Sequence, residues 1–191
     1  MTPARAPDGR HRRGEDSRAR IVAAMLEIVQ GGDVSPSAEQ VAARADVGLR
    51  TVFRHFKDMD SLYREMSVVI EREMRALVER PFAAQDWRER LVELIGRRAT
   101  VFEKIGPFKR AANVARHRSK FLEVDNGRLV TALREILVAQ LPPEAAGDAA
   151  KLEILDLLLS FESWSRLRRE QGLSVARARE TLEAAIRRLV A

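Results

Sequence analysis

Between Gly48 and Lys57 the chain places Arg50, Thr51, Arg54, His55 and Lys57, all able to donate hydrogen bonds, and no acid. That set suits a polyanion with readable edges. An Arg fork matches the two acceptors of guanine, a Thr can touch a thymine methyl or a phosphate, and His and Lys suit phosphates. Val52 and Phe56 lie four apart and share the inward side of a helix, which leaves Leu49, Arg50, Thr51, Phe53, Arg54 and His55 for other surfaces. A hairpin buried in an unrelated core would not expose Arg50, Arg54, His55 and Lys57 on one helix.

Such a helix needs a partner to hold it, and the preceding residues supply one. In Ser37 to Phe56, SAEQVAARADVGLRTVFRHF, Ser37 and Gln40 fit a capping box that starts a helix. Ser37 is at once a cap and a hydroxyl donor for phosphate. Val41, Ala42 and Ala45 offer a face small enough for a second helix to cross close by. Asp46-Val47-Gly48 breaks the first helix, because Asp tolerates left-handed backbone angles and Val47 supplies an apolar plug beneath the crossing. Leu49 to Phe56 forms the second, so 37–56 reads as a helix-turn-helix. Upstream, Asp16 or Ser17 is expected to cap a helix to Gln30 with a stripe of Ile21, Met25, Ile28 and Val29, stopped by Gly31-Gly32. Downstream, Asp58 caps a helix carrying Leu62, Met66, Val69, Ile70, Met74 and Leu77 and running to Arg80-Pro81.

On these residues, from about Arg18 to Arg64, the chain resembles the DNA-binding domain of the TetR family of bacterial transcriptional regulators. T-V-F-R-H-F stands where that family has T-L-Y-x-H-F, and K-D-M-D-S-L-Y follows. Asp46 replaces a turn Gly, Phe53 replaces a Tyr and so lacks its phosphate-bonding hydroxyl, and Met59 stands where a Lys is common. The resemblance implies a homodimer joined through a four-helix bundle of the last two helices. It also implies an apolar effector pocket among the body helices, with Phe102, Phe121, Phe161 and Trp164 as candidate lining, and repression released by ligand.

The rest of the chain is patterned for helix as well. Asp86 is expected to open a helix ending at Gly106-Pro107, followed by a short helix from Phe108 and a longer one through Leu122, Leu129, Leu133, Ile136 and Leu137, closed by Pro142-Pro143. Two long periodic stretches follow, Glu144 to Gln171 and Ser174 to Val190, and the stripe from Leu157 to Phe161 is wider than one partner helix needs. From Lys104 to Lys120 the chain has Lys104, Lys109, Arg110, Arg116, His117, Arg118 and Lys120 and no acid, a solvated face or an anion-binding surface.

Composition bounds the function. The formal net charge of +6 is not concentrated in the first 60 residues, which carry ten Lys and Arg against nine Asp and Glu, so local charge is a better guide than the total. No apolar run reaches the ~18 residues of a membrane span and no signal peptide is apparent, so no membrane partner and a cytoplasmic location are expected. The absence of Cys excludes disulfides and thiolate chemistry. Nucleotide-binding, hydrolase and metalloprotease motifs are missing and the three His lie in different segments, so neither an enzyme, a metal site nor a cofactor is expected.

The expected architecture is therefore all-α: a flexible basic arm over 1–14, a DNA-binding head over 15–75 and an effector-binding, dimerising body over 76–191. Double-stranded DNA, a second copy of the chain and an unidentified small molecule are the expected partners. A helical dimer serving as a protein-interaction scaffold or small-molecule carrier, without DNA binding, is the alternative.

Overall fold

The computed structural model describes the backbone from Gly9 and the side chains from Gly14, in each case to Ala191. Among the described residues the fold is all-helical, with no strand. The elements are α1 (Gly9–Gln30), α2 (Ala38–Arg44), α3 (Leu49–His55), α4 (Met59–Val78), α5 (Trp87–Ala115), a 3-10 turn (Arg116–Arg118), α6 (Lys120–Val138), α7 (Pro143–Gly147), α8 (Ala149–Leu158), α9 (Phe161–Ser165) with a π turn (Arg166–Glu170), and α10 (Val175–Leu189). The expected arm lies outside the described residues up to Asp8. From Gly9 the backbone is already helical, so α1 begins ahead of Asp16 and Ser17.

The chain divides into two compact units. The first comprises the described chain up to Glu71 together with Pro107–Glu123; the second comprises Arg72–Gly106 and Val124–Ala191. In the first, the apolar stripes meet in one core: Ile21, Val22, Met25 and Val29 of α1, Val41 and Ala42 of α2 with Ala45, Val52 of α3 with Phe56, and Leu62, Tyr63 and Met66 of α4. Ala111 of α5 and Leu122 of α6 complete it. The inclusion of 107–123 brings most of the acid-free basic stretch into the same unit as α3.

In the second unit α8 packs on α9 and α10. Ala178, Leu182 and Ile186 form the buried stripe of α10, and Leu155, Leu159, Phe161 and Trp164 are buried as well. Arg98 of α5 is 5% exposed and donates to the carbonyls of Leu159 and Leu133. Burial pushes its guanidinium down to about 10, which leaves it charged at neutral pH; two carbonyls and nearby Asp156 offset part of its desolvation. Arg187 of α10 pairs with Glu89 of α5 at 2.7 Å, and Arg134 of α6 with Glu153 and Asp156 of α8 at 2.6 and 3.0 Å.

Two further boundaries differ from those expected. α5 does not stop at Gly106-Pro107; Pro107 lies inside it. An interior Pro costs about 3 kcal/mol, but Phe102 and Ile105 before it and Ala111 after it are all buried. At ~1.5–3 kcal/mol for each large apolar side chain, that burial outweighs the Pro. The stretch from Glu144 to Gln171 is broken rather than continuous. Asp148 caps α8 by accepting from the Lys151 N–H, and Ser160 caps α9 by accepting from that of Ser163. Both are N-cap residues whose short side chains compete with the helix backbone for the same hydrogen bonds.

Candidate functional site

The geometry of the α2–α3 pair begins with its caps. The Ser37 hydroxyl oxygen accepts from the Gln40 N–H at 3.2 Å, and the Gln40 side-chain carbonyl accepts from the Ser37 N–H at 2.6 Å, which completes the capping box. The Ser37 hydroxyl donates its own proton to the Glu39 carboxylate; a backbone N–H and this hydroxyl hold that carboxyl below its ordinary value.

At the other end of α2 the chain reverses through a Schellman arrangement. The Val47 N–H reaches the Ala42 carbonyl at 3.0 Å and the Asp46 N–H the Ala43 carbonyl at 3.3 Å, with Asp46 in the left-handed region at φ 51°. Val47 packs against the core as the apolar closure such a turn uses. Gly48, extended at φ −69° and ψ 146°, then caps α3, its carbonyl taking the Thr51 N–H at 2.7 Å.

α3 is pinned through Val52 and Phe56, 2% and 1% exposed. One residue fastens its far end. Arg18 of α1 donates to the His55 carbonyl at 2.9 Å, pairs with Glu65 of α4 at 2.7 Å, and lies with its guanidinium 4.5 Å from the centroid of the Phe56 ring. A cation on a last-turn carbonyl satisfies a group the helix leaves unpaired and complements the helix dipole. Sequence reasoning gave Arg18 no role, though a signal was there: with Ile21, Val22 and Met25 it occupies the apolar stripe of α1, where a charge has to have a partner.

The sequence-selected residues then separate. Leu49, Arg50, Phe53, Arg54 and Lys57 are exposed, and Thr51 is half-buried. Arg50 and Arg54 make no hydrogen bond or ion pair with the described residues. His55 differs from its expected outward role. Its Nε2 is shut off from solvent and has no partner, and Gly14 of α1 lies beside the ring. Desolvation, then the charges of Arg54 and Arg18, hold the imidazole below its ordinary value of 6.5, so His55 is neutral at pH 7 and presents no phosphate-binding cation there.

Of the four aromatic residues expected to line an effector pocket, Phe102, Phe161 and Trp164 are buried core side chains and Phe121 is half-buried. Phe102 and Phe161 meet edge to face with centroids 5.5 Å apart, and the Trp164 indole N–H donates to Glu103 at 2.9 Å. Phe121 belongs to the first unit, where it packs against the core with the Arg64 guanidinium 4.3 Å from its ring centroid. The first unit also has an unanticipated open cleft of about 650 Å³ lined by Glu27, Ile28, Gly31, Asp33, Gln40, Ala43 and Arg44. Its polar groups are engaged with one another: Asp33 accepts from the Ser35 N–H and the Gln40 amide, and Arg44 pairs with Glu27.

Among the described residues no helix is long and apolar enough to cross a membrane, and no group of His, Asp or Glu side chains could hold a metal ion. No protein-family model matches the chain, and no curated protein matches it.

Proposed function

We propose that this chain is a sequence-specific DNA-binding regulator of transcription of the TetR type, with α2 and α3 as its helix-turn-helix and α3 entering the major groove. The observation that carries this reading is the pairing of opposites on α3. Val52, with Phe56 just beyond the helix, is buried and Arg18 ties off its end, while Arg50, Arg54 and the adjoining Lys57 stand in solvent without an acid between Gly48 and Lys57. A rigidly held, acid-free cationic helix suits a duplex, whose phosphates supply affinity and whose base edges supply sequence preference. In this reading Arg50, in the first turn of α3, reaches a guanine, Thr51 reaches a phosphate, the Ser37 hydroxyl exchanges Glu39 for a phosphate, and Lys57 grips the backbone beyond the helix end.

The protein acts as a homodimer on a near-palindrome whose half-sites lie about one turn, ~34–36 Å, or a multiple apart. Support for self-association is Ile154 and Leu157 on α8, three residues apart, apolar, and 44% and 64% exposed. By resemblance it is a repressor released when a small molecule binds the second unit. Three continuous helices, α4, α5 and α6, have residues in both units, so a change imposed on the second has a covalent route to the first.

The test is selection from a random duplex pool with the full chain. Enrichment of one inverted repeat is the expected result; uniform, salt-sensitive retention of all duplexes would leave only electrostatic adhesion and remove the regulatory reading.

A further inference from the structure

α3 carries two parallel rows one residue out of step. Leu49 and Phe53 are four apart and therefore stacked on one helix face; Arg50 and Arg54 are also four apart and form the adjacent row. Leu49 and Phe53 are 38% and 50% exposed, while the other apolar side chain of the helix, Val52, is buried. The apolar row is therefore not part of the core, and it sits beside cations that favour an anionic partner.

The surface that matches both rows is the major groove. Its base edges present guanine acceptors suited to Arg and one apolar group, the C5-methyl of thymine. We propose that Leu49 and Phe53 form an apolar edge that reads thymine methyls, so that each half-site carries thymine beside the guanine met by Arg50. The inference rests on the DNA-binding reading and adds a chemical identity to it: the specificity contribution of this row is the methyl group itself, not a hydrogen-bonding pattern. Phe at position 53 has no hydroxyl to give to a phosphate, and its exposed ring is suited instead to covering a methyl.

Replacing thymine by deoxyuridine removes that methyl and leaves every hydrogen-bonding group in place. On the sequence enriched by selection, each thymine of a half-site is replaced in turn, symmetrically, and binding is measured for the wild type, Phe53→Ala, Leu49→Ala and Phe53→Leu. At one or two positions the wild type should lose about fourfold in affinity per methyl, the value expected for withdrawing one buried carbon. Phe53→Ala or Leu49→Ala should bind thymine and uracil operators alike at the matching position, and Phe53→Leu should keep part of the discrimination. Neither Phe53 nor Leu49 belongs to the core, so thermal melts of these variants should stay near the wild type, which separates loss of reading from loss of fold. Equal binding of thymine and uracil operators by the wild type at every position overturns the inference while leaving DNA recognition intact. Undiminished discrimination in both alanine variants overturns it equally. If the pool yields no preferred sequence, the DNA-binding reading itself falls and this inference with it.

Discussion

Arg50 and Lys57 are both exposed cations of one segment, yet their positions would give them different parts in the proposed complex with DNA. Arg50 is in the first turn of α3, where a planar fork can meet the two acceptors of one guanine. Lys57 lies beyond the end of α3, a point charge on a flexible stem. In the proposed complex Arg50→Ala should cost ~1–3 kcal/mol on the selected operator and relax preference at one base position per half-site, with little change on scrambled duplex. Lys57→Ala should weaken both duplexes alike and reduce the salt slope by about one counterion per subunit. Titrations on both duplexes at several salt concentrations distinguish the two. Equal losses for Arg50→Ala on operator and scrambled DNA would make it a backbone contact and shift base reading to Arg54, Thr51 or the apolar row. His55 differs from both, because its shielded Nε2 and the charges of Arg54 and Arg18 favour the neutral ring.

At the scale of elements, the turn between α2 and α3 sets where the exposed rows point, and Asp46 is its one conformationally demanding residue, at φ 51°. A left-handed L-residue costs ~1–2 kcal/mol, less for Asp than for most. Asp46→Ala should therefore destabilise the protein by about 1 kcal/mol in urea unfolding. Asp46→Gly removes that strain but adds ~0.5–1 kcal/mol of backbone entropy to the unfolded chain. The two terms nearly cancel, and the Gly variant should fall within about 0.5 kcal/mol of the wild type. An Ala variant as stable as the parent would show that the turn does not depend on a left-handed residue. Much of this unit was legible in the residues: the Ser37–Gln40 box, the break at Asp46 and the inward pair Val52 and Phe56 all follow from local rules and periodicity. What was not legible depended on distant partners. Arg18 acquires its place only when the end of α3 and Glu65 are brought to it, and Pro107 stays helical only because apolar residues on both sides of it are buried. Ser160 and Asp148 were legible in principle as caps, but the apolar run around them masked the breaks.

For the molecule as a whole, the proposed homodimer raises the question of which face a second copy would cover. The sequence offered both terminal stretches; on α10 Val175 is 37% exposed, and on α8 Ile154 and Leu157 are 44% and 64% exposed. The apolar residues of α10 at Ala178, Leu182 and Ile186 are buried within one chain, whereas Ile154 and Leu157 of α8 remain exposed. In a two-fold interface each residue contributes twice. Withdrawing two Leu side chains at ~1.5–3 kcal/mol each removes about 3–6 kcal/mol, a loss of roughly 10² to 10⁴ in dimer affinity. Leu157→Glu should thus yield a monomer at micromolar concentration by light scattering. Its melting temperature at high dilution should match that of the parent, because within one chain Leu157 is 64% exposed and loses little. The same variant should bind the full inverted repeat no more tightly than an isolated half-site, since the two recognition helices are no longer joined. A Leu157→Glu protein that stays dimeric and keeps its preference for the inverted repeat would rule out α8 as the joint. A substitution on the exposed charged face of α10, such as Glu180→Arg, that dissociated the dimer instead would place it there.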